Sequence, residues 1–460
     1  MSQVQASSIL MDSKAHSSGY QAREQDADDD LLALEFGSKA SKFGATRDDV
    51  REMDLLGIEP TFKRRFKFMA MVGFASTVVL GWQVVLATFY FSLDNGGTGD
   101  MIVIYVPDSD AVNSQWFPTT IAIVMLILSA LFNMRLAKVF PTLEGVMLVI
   151  HVASWAAFIV VLWVTSPRGR PSDVLFTFNN GGGWSSAGLS TFVGLIGSSG
   201  SLVGFDSAVH MTENVRDASR AIPLSLVVSY ALNASMGLIT GVTVIFCAGD
   251  MDAVLAVANQ APYVTIFLNS TGSKAGTLVM LIPILLMFMS SMLSGMATAS
   301  RQVWAFARDD GLPWSDKLKR VPDAEVPQTA LWVTVAATFI ITCINFGSNI
   351  GFNAICSLVG LALNISYLIT ISCTIYHKVR GPGLPRARFS LGRWGLLINI
   401  ISWFLVLPYI FFIAWPPYAQ VTAGNMNYGV VMFVIVILIA SGNYLAAGRK
   451  RFAPTLRKEE

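Results

Sequence analysis

GLSTFVGLIGSSGSLVGFDSAVHMTENVRDASRAIP, residues 188–223, decides how the chain is read. It starts as an apolar run of membrane-helix character, yet carries Gly188, Gly194, Gly197, Gly200 and Gly204, with Ser198, Ser199 and Ser201 among them. It then meets a carboxylate, Asp206, and passes through His210, Glu213, Arg216, Asp217 and Arg220 before Pro223 opens the next apolar run. In a bilayer every backbone polar group needs a partner, so non-helical backbone at membrane depth persists only where protein or a water-filled cavity covers it. The small residues have two readings: close helix packing, as throughout membrane bundles, or a helix broken at a ligand site. A second interrupted run favours the break. Gly73, Ser76, Thr77 and Gly81 interrupt Phe68 to Phe91, and paired interruptions in two membrane segments point to a site between them.

Outward from that stretch, the chain of 460 residues is 53% hydrophobic and 13% charged, with mean hydropathy +0.56. A soluble domain of this length hardly reaches such values, so the chain reads as an all-α polytopic membrane protein. The net charge of +2 says little about partners, because charges are sorted by side of the membrane, and nucleic acid is not indicated. Cys247, Cys343, Cys356 and Cys373 all lie in apolar stretches, which points to packing and not to a disulfide framework. Residues 1–60 are polar, with an acidic run at Asp26, Asp28, Asp29 and Asp30, and are expected to form a disordered cytosolic tail. No apolar stretch near Met1 suits a cleaved secretory signal, so insertion is expected to rest on the first span.

Apolar windows of about 20 residues give ten candidate spans: 67–91, 117–137, 141–165, 188–209, 222–247, 276–300, 328–347, 353–376, 395–416 and 426–447. The membrane domain is therefore expected over 61–448, followed by a cytosolic tail over 449–460. Lys and Arg fall on alternating connections, as the positive-inside rule requires. One side collects Lys63 to Lys67, Arg135 and Lys138, Arg216 and Arg220, Arg301 to Arg320, Lys378 to Arg393, and Arg449 to Lys458; the other has Arg168, Arg170 and Lys274. Both termini are thus expected in the cytosol. The loop after the first span carries Asp94, Asp100, Asp108 and Asp110 without Lys or Arg, and Asn269-Ser270-Thr271 is a glycosylation sequon in another outward loop. Trp116, Trp163, Trp415 and Tyr418 sit where an outer aromatic belt belongs.

These residues also carry a likeness. VGFDSAVHMTENVRDASRAIP (203–223), ASRQVWAFARDDGLPW (299–314), VPQTAL (326–331) and LGIEP (56–60) before a basic cluster resemble segments of the fungal amino acid/choline transporter family. Its amino-acid or GABA permease-like group is the most similar, within the amino acid, polyamine and organocation superfamily. The resemblance runs from about residue 52 to 452. It implies a leucine-transporter-like inverted-repeat fold of twelve spans, the first and sixth broken near mid-membrane with substrate between the breaks. By the resemblance, the first break falls at Val79, Leu80 and Gly81, flanked by Thr77 and Trp82, and the second at Leu202, Val203 and Gly204. N–H groups at the half-helix starts would hold a carboxylate and free carbonyls an ammonium. The sequence departs from the family at one place. After SLDNGG (92–97), where the family continues into a second span with a GEM(x)nP signature and then a third, this chain runs at once into MIVIYVPDSD (101–110). About ten spans are therefore expected instead of twelve, the first repeat being incomplete around 97–101.

Ionisable groups at membrane depth are costly and functional by default. His151 matches the position where some proton-coupled relatives place a lysine; it is expected either to carry the coupling proton or to be a satisfied histidine of the packed bundle. Asp206 is expected to cap the inner half-helix, to pair with Arg301 near a cytosolic gate, or to face water at the interface. Glu144 reads as interfacial. Ser290, Ser291, Ser294 and Gly295 suit either cavity lining or close packing, and Asn233 and Asn364 read as interhelical hydrogen-bond donors. No HExxH, paired metal ligands or GxSxG appears, so an enzyme is not expected, and no cofactor or metal is implied. The resemblance implies a proton-coupled symporter for amino acids or amines such as GABA or choline, in the plasma membrane or the vacuole. A transport-inactive isoform or nutrient sensor of the same fold is the alternative, since by the resemblance the absent spans would come from both the moving bundle and the scaffold.

Overall fold

The computed structural model describes residues 42–91, 116–170, 180, 182–199, 204–249, 254, 262–322, 325–347, 349–381, 387–416 and 418–452. The junction at 97–101 lies outside them, as do Leu202 and Val203. In chain order the helices are α1 (Arg47–Leu55), α2 (Phe68–Val79), α3 (Gly81–Phe91), α4 (Trp116–Arg135), α5 (Phe140–Thr165) and α6 (Ala187–Ser199). A 3-10 segment (Phe205–Asn214) follows, then α7 (Ala218–Cys247), α8 (Pro262–Thr271), α9 (Lys274–Arg308), α10 (Gln328–Ile344), α11 (Asn349–Val379), α12 (Trp394–Ile413) and α13 (Gly429–Asn443). Among the described residues eight helical spans are long and apolar enough to cross a membrane, α2 and α3 counting together as Phe68–Leu86. The expected span 328–347 is represented by the shorter apolar α10. Of the expected span 188–209, the described residues hold α6 up to Ser199 and, from Gly204 at φ 91°, the 3-10 segment; residues 200–203 lie outside them.

Burial sets the layering. Within the membrane-length window of Phe68–Leu86, 72% of residues are buried, against 6% in Trp394–Ile413 and none in Gly429–Arg451. The first span is therefore the axis of the bundle, and the last two are left mostly uncovered by the other described residues. Two apolar clusters pack around that axis. One joins Trp82 and Leu86 to Phe158, Leu162, Met236 and Phe267. The other joins Met71, Phe74 and Ala75 to Phe140, Ala208, Met211 and Leu293, with Phe66, Phe74 and Phe140 in mutual edge contacts at 5.8–5.9 Å. Leu80, where α2 meets α3, falls between the two clusters.

At about 1.5 Å per residue, the 35 residues of α9 run to about 52 Å, longer than the hydrocarbon core. Its last turns project into the basic side, where the connections converge. Glu325 receives Arg65 at 2.7 Å, Lys63 at 3.4 Å and Lys138 at 3.6 Å, and Arg308 pairs with Glu213. Segments sorted to one side by their charge thus meet on one face. A backbone bridge, Phe66 to Val215, joins the chain before α2 to the chain before α7; the Phe66 N–H donates to the Asn214 carbonyl at 3.0 Å, and the Arg216 N–H to the Phe66 carbonyl at 2.9 Å.

The expectation of a disordered tail through residue 60 needs correction over its last part, where α1 is a docked helix. Thr46 and Asp49 form a capping box. The Asp49 carboxylate also accepts from the N–H groups of Asp217 at 2.9 Å and Ala218 at 3.0 Å, answering the open donors at the start of α7. Buried Arg64 pairs with it at 3.1 Å. Burial alone would raise the Asp49 carboxyl, but the N–H groups of Thr46 and Ala218, then Arg64 and Asp217, together hold it below the usual carboxylate range. Its contribution is therefore fully present above the ordinary carboxyl value and is lost only as pH falls through the depressed one. Asp49→Ala strands a buried guanidinium, at a cost of about 3–5 kcal/mol. Hydrogen exchange should show Arg47–Leu55 losing protection in this variant at neutral pH while the spans keep theirs. In the parent chain the same helix should stay protected at pH 5 and open only in stronger acid.

Candidate functional site

The first span breaks because Leu80 takes the left-handed conformation, φ 52° and ψ 37°, which costs an L-residue about 1–2 kcal/mol. Its own N–H still reaches the Ser76 carbonyl at 3.0 Å, and its carbonyl accepts from the Val84 N–H at 2.8 Å. The discontinuity therefore concentrates on Gly81, whose N–H donates sideways to Asn233 Oδ1 on α7 at 2.9 Å. Asn233 is braced in turn by donating to the Ser229 carbonyl at 2.9 Å. A Cβ on Gly81 would stand 2.7 Å from the Asn233 carbonyl oxygen, so glycine is what lets α7 approach closely enough to supply that acceptor. Gln83 completes the joint. With its amide oriented to satisfy its neighbours, its oxygen accepts from His151 Nδ1 and from the Trp82 indole N–H, and its nitrogen donates to the Leu80 carbonyl, each at 3.1 Å. His151 is thus fully buried beside the break, and Trp82 stacks at a tilt on Phe158, 5.4 Å between ring centroids.

Glu144 is not interfacial. It is fully buried, with Oε2 accepting from Thr77 Oγ1 at 2.6 Å and Oε1 from Ser294 Oγ at 2.7 Å. Gly73 explains its depth: a Cβ there would lie 2.3 Å from the Glu144 carbonyl oxygen, so α2 and α5 touch backbone to backbone, and the side chain is sealed between α2 and α9. Ser291 donates to the Val78 carbonyl at 3.3 Å, so the α9 serines do reach the break. Asn364 donates to Gly360 within its own helix and makes no interhelical hydrogen bond among the described residues; Asn233 does bridge helices, as an acceptor.

The second break faces the first. A Cβ on Gly204 would come 3.7 Å from Val78 Cγ1, which places the start of the 3-10 segment against the end of α2. Val79 and Leu80 are buried beside it. Leu202 and Val203, expected at the same break, lie outside the described residues. Asp206 and Arg301 do not pair. Asp206 accepts from the Tyr367 hydroxyl at 2.7 Å and lies 3.6 Å from His210, while Arg301 donates to Asn214 Oδ1 at 2.6 Å and to the Ala297 carbonyl at 3.0 Å. The nearer polar neighbours of each outcompete the longer-range pairing of opposite charges.

Two broken helices brought face to face in an all-helical bundle are matched by sequence comparison. The profile described as amino acid permease covers residues 58–438. The chain belongs to the amino acid permease family. Its fold is accordingly that of the amino acid, polyamine and organocation permeases. A Macrophomina phaseolina protein named as an amino acid/polyamine transporter is 30% identical over 318 residues, 68% of this chain and 70% of that one. The choline transporter of Saccharomyces cerevisiae is 28% identical over 319 residues, 68% of this permease but only 56% of the yeast protein's length. An uncharacterised amino-acid permease of Schizosaccharomyces pombe is 22% identical across 89% of this chain and 90% of its own.

The backbone contact at Gly73 gives a direct test of how the permease is held around its break. Gly73→Ala should destabilise it by about 1–3 kcal/mol through overpacking against α5. Gly145→Ala, whose added Cβ meets nothing within 4 Å, should leave the melting temperature in detergent almost unchanged.

Proposed function

We propose that this permease is a secondary active transporter for amino acids or related amines such as GABA or choline, working by alternating access and driven by protons. The observation that carries the reading is the meeting of the two breaks, with Gly204 beside Val78 and the left-handed Leu80 next to it. Substrate carboxylate would meet the N–H groups of Trp82 and Gln83 in the first turn of α3, the Gly81 N–H being held by Asn233, at the positive end of that half-helix. Its ammonium would meet carbonyls around Leu202 to Gly204. The names of the relatives, amino acid/polyamine and choline transporters, share a cationic nitrogen and support that substrate class.

Coupling falls on Glu144 in this reading. Its two oxygens take one hydroxyl from α2 and one from α9, and no ion pair among the described residues includes it. A proton on either oxygen turns that oxygen into a donor, so Thr77 or Ser294 would accept from it and donate only to its own helix carbonyl, changing how the first span is held to its neighbours. His151, bonded through Gln83 to the Leu80 carbonyl, positions the start of α3. Around Lys63, Arg65, Arg301 and Glu325 the basic end encloses a void of about 20 Å³, room for about one water. With that end in the cytosol, the structure is closed inward, and Asp206 and Arg301 would shift partners as the inner ends part.

One observation favours the second reading, a transport-inactive or sensing member of the fold. The alignment to the Schizosaccharomyces permease runs over 496 positions while drawing on 89% of this chain, more positions than the 460 residues available, so the relative has residues with no counterpart here. Uptake of labelled amino acid or choline into vesicles carrying this chain, collapsed by a proton uncoupler, would support transport. Substrate binding without any uptake would support the second reading. If transport holds, Glu144→Gln should flatten the pH dependence of uptake by about tenfold between acid and neutral pH, whereas His151→Ala should keep it. The reverse result would move coupling to His151.

A further inference from the structure

Away from the breaks, α11 and α12 leave an open groove of about 450 Å³ at the basic end of the bundle. Its walls are Ile375 and Val379 from α11 and Ile400 and Phe404 from α12. Its one internal polar contact is closed, with the Trp403 indole N–H donating to Ser372 Oγ at 2.9 Å, so the depth of the groove offers nothing to a polar guest. The mouth differs. Arg380, one residue past the end of α11, lines it together with Tyr376; both are exposed. The Arg380 guanidinium makes no hydrogen bond or ion pair with a described residue. No local carboxylate could answer it, because residues 377–395 contain His377, Lys378, Arg380, Arg386, Arg388 and Arg393 and neither Asp nor Glu. Two of the others are engaged elsewhere: Arg388 pairs with Asp48 at 3.2 Å and with Asp217, and Arg393 lies over the Trp394 ring at 5.5 Å.

A groove that is apolar within, cationic at its rim and open to the bilayer at headgroup level has the chemistry of an acidic lipid. We propose that this seam is a binding site for one anionic phospholipid, with an acyl chain laid between α11 and α12 against Val379, Ile400 and Phe404 and its phosphate held by Arg380. Arginine suits that task, since its planar fork can take two phosphate oxygens at once, and basic pockets between helices on this side of a membrane bind acidic headgroups. The surrounding helices have little else to cover them, because 6% of the α12 window is buried in protein.

The test uses the full chain in nonionic detergent, loaded with either phosphatidylserine or phosphatidylcholine, and counts retained lipid by native mass spectrometry. The parent chain should retain one phosphatidylserine in preference to phosphatidylcholine. Arg380→Ala should reduce that retention about fivefold, the worth of one basic side chain at an anionic surface. Val379→Trp should reduce it similarly by filling the groove with the arginine intact, and Lys450→Ala, beyond the end of α13 and outside the groove lining, should not. An unchanged melting temperature in phosphatidylcholine shows that each variant is folded. Equal retention of the two lipids by the parent chain, or full retention by Arg380→Ala or Val379→Trp, overturns the proposal.

Discussion

A backbone N–H that loses its helical acceptor inside an apolar medium must find another, and Gly81 finds Asn233. The rest of the centre follows from that single bond at 2.9 Å. For the side chain of Asn233 to arrive, α7 must approach the first span at backbone range, which is why Gly81 cannot carry a Cβ. Gly237 prolongs the approach one turn later, its missing Cβ falling 3.4 Å from Val85 and 3.7 Å from the Gly81 carbonyl. Once α7 is fixed on one side and α5 on the other through Gly73, the first span is enclosed along most of its length. Its apolar contacts then separate into clusters above and below the break, where large buried side chains each contribute roughly 1.5–3 kcal/mol.

The short hydrogen bonds of the ionisable groups at this level come from neutral partners. Glu144 rests on two hydroxyls, His151 on an amide, and Asp206 on a phenol. Formal ion pairs gather instead at the basic end, where water lowers the penalty for desolvating them. The division is the one a bilayer enforces: a full charge is tolerable at the edge, while in the middle each carboxylate oxygen needs its own donor.

The break in the first span and the positions of most spans were legible in the sequence because both rest on local signals. Glycines among apolar residues mark the weak points, and long apolar windows mark the spans. Tertiary facts were not legible. Glu144 sits four residues past Phe140, and a hydropathy window cannot tell a residue near a span end from one sealed by Gly73, far earlier in the chain. Arg301 and Asp206 suggested each other by charge, yet Asn214 and Tyr367 lie closer, and nothing in the order of residues reveals that. The helix at Arg47–Leu55 was hidden by its composition: RDDVREMDL has only Val50 and Met53 to bury, along with Asp49. Its one clear local cue was the spacing of Thr46 and Asp49, the start of a capping box.

The bridge between Phe66 and Val215 bears on how many independent motions the inner half of the molecule has. Those residues stand at the base of the first span and before the start of α7, so the bond ties the inner ends of the two segments to each other. In the proposed alternating-access cycle, a state with one inner piece swung out and the other in place would first have to break the backbone hydrogen bonds of this bridge.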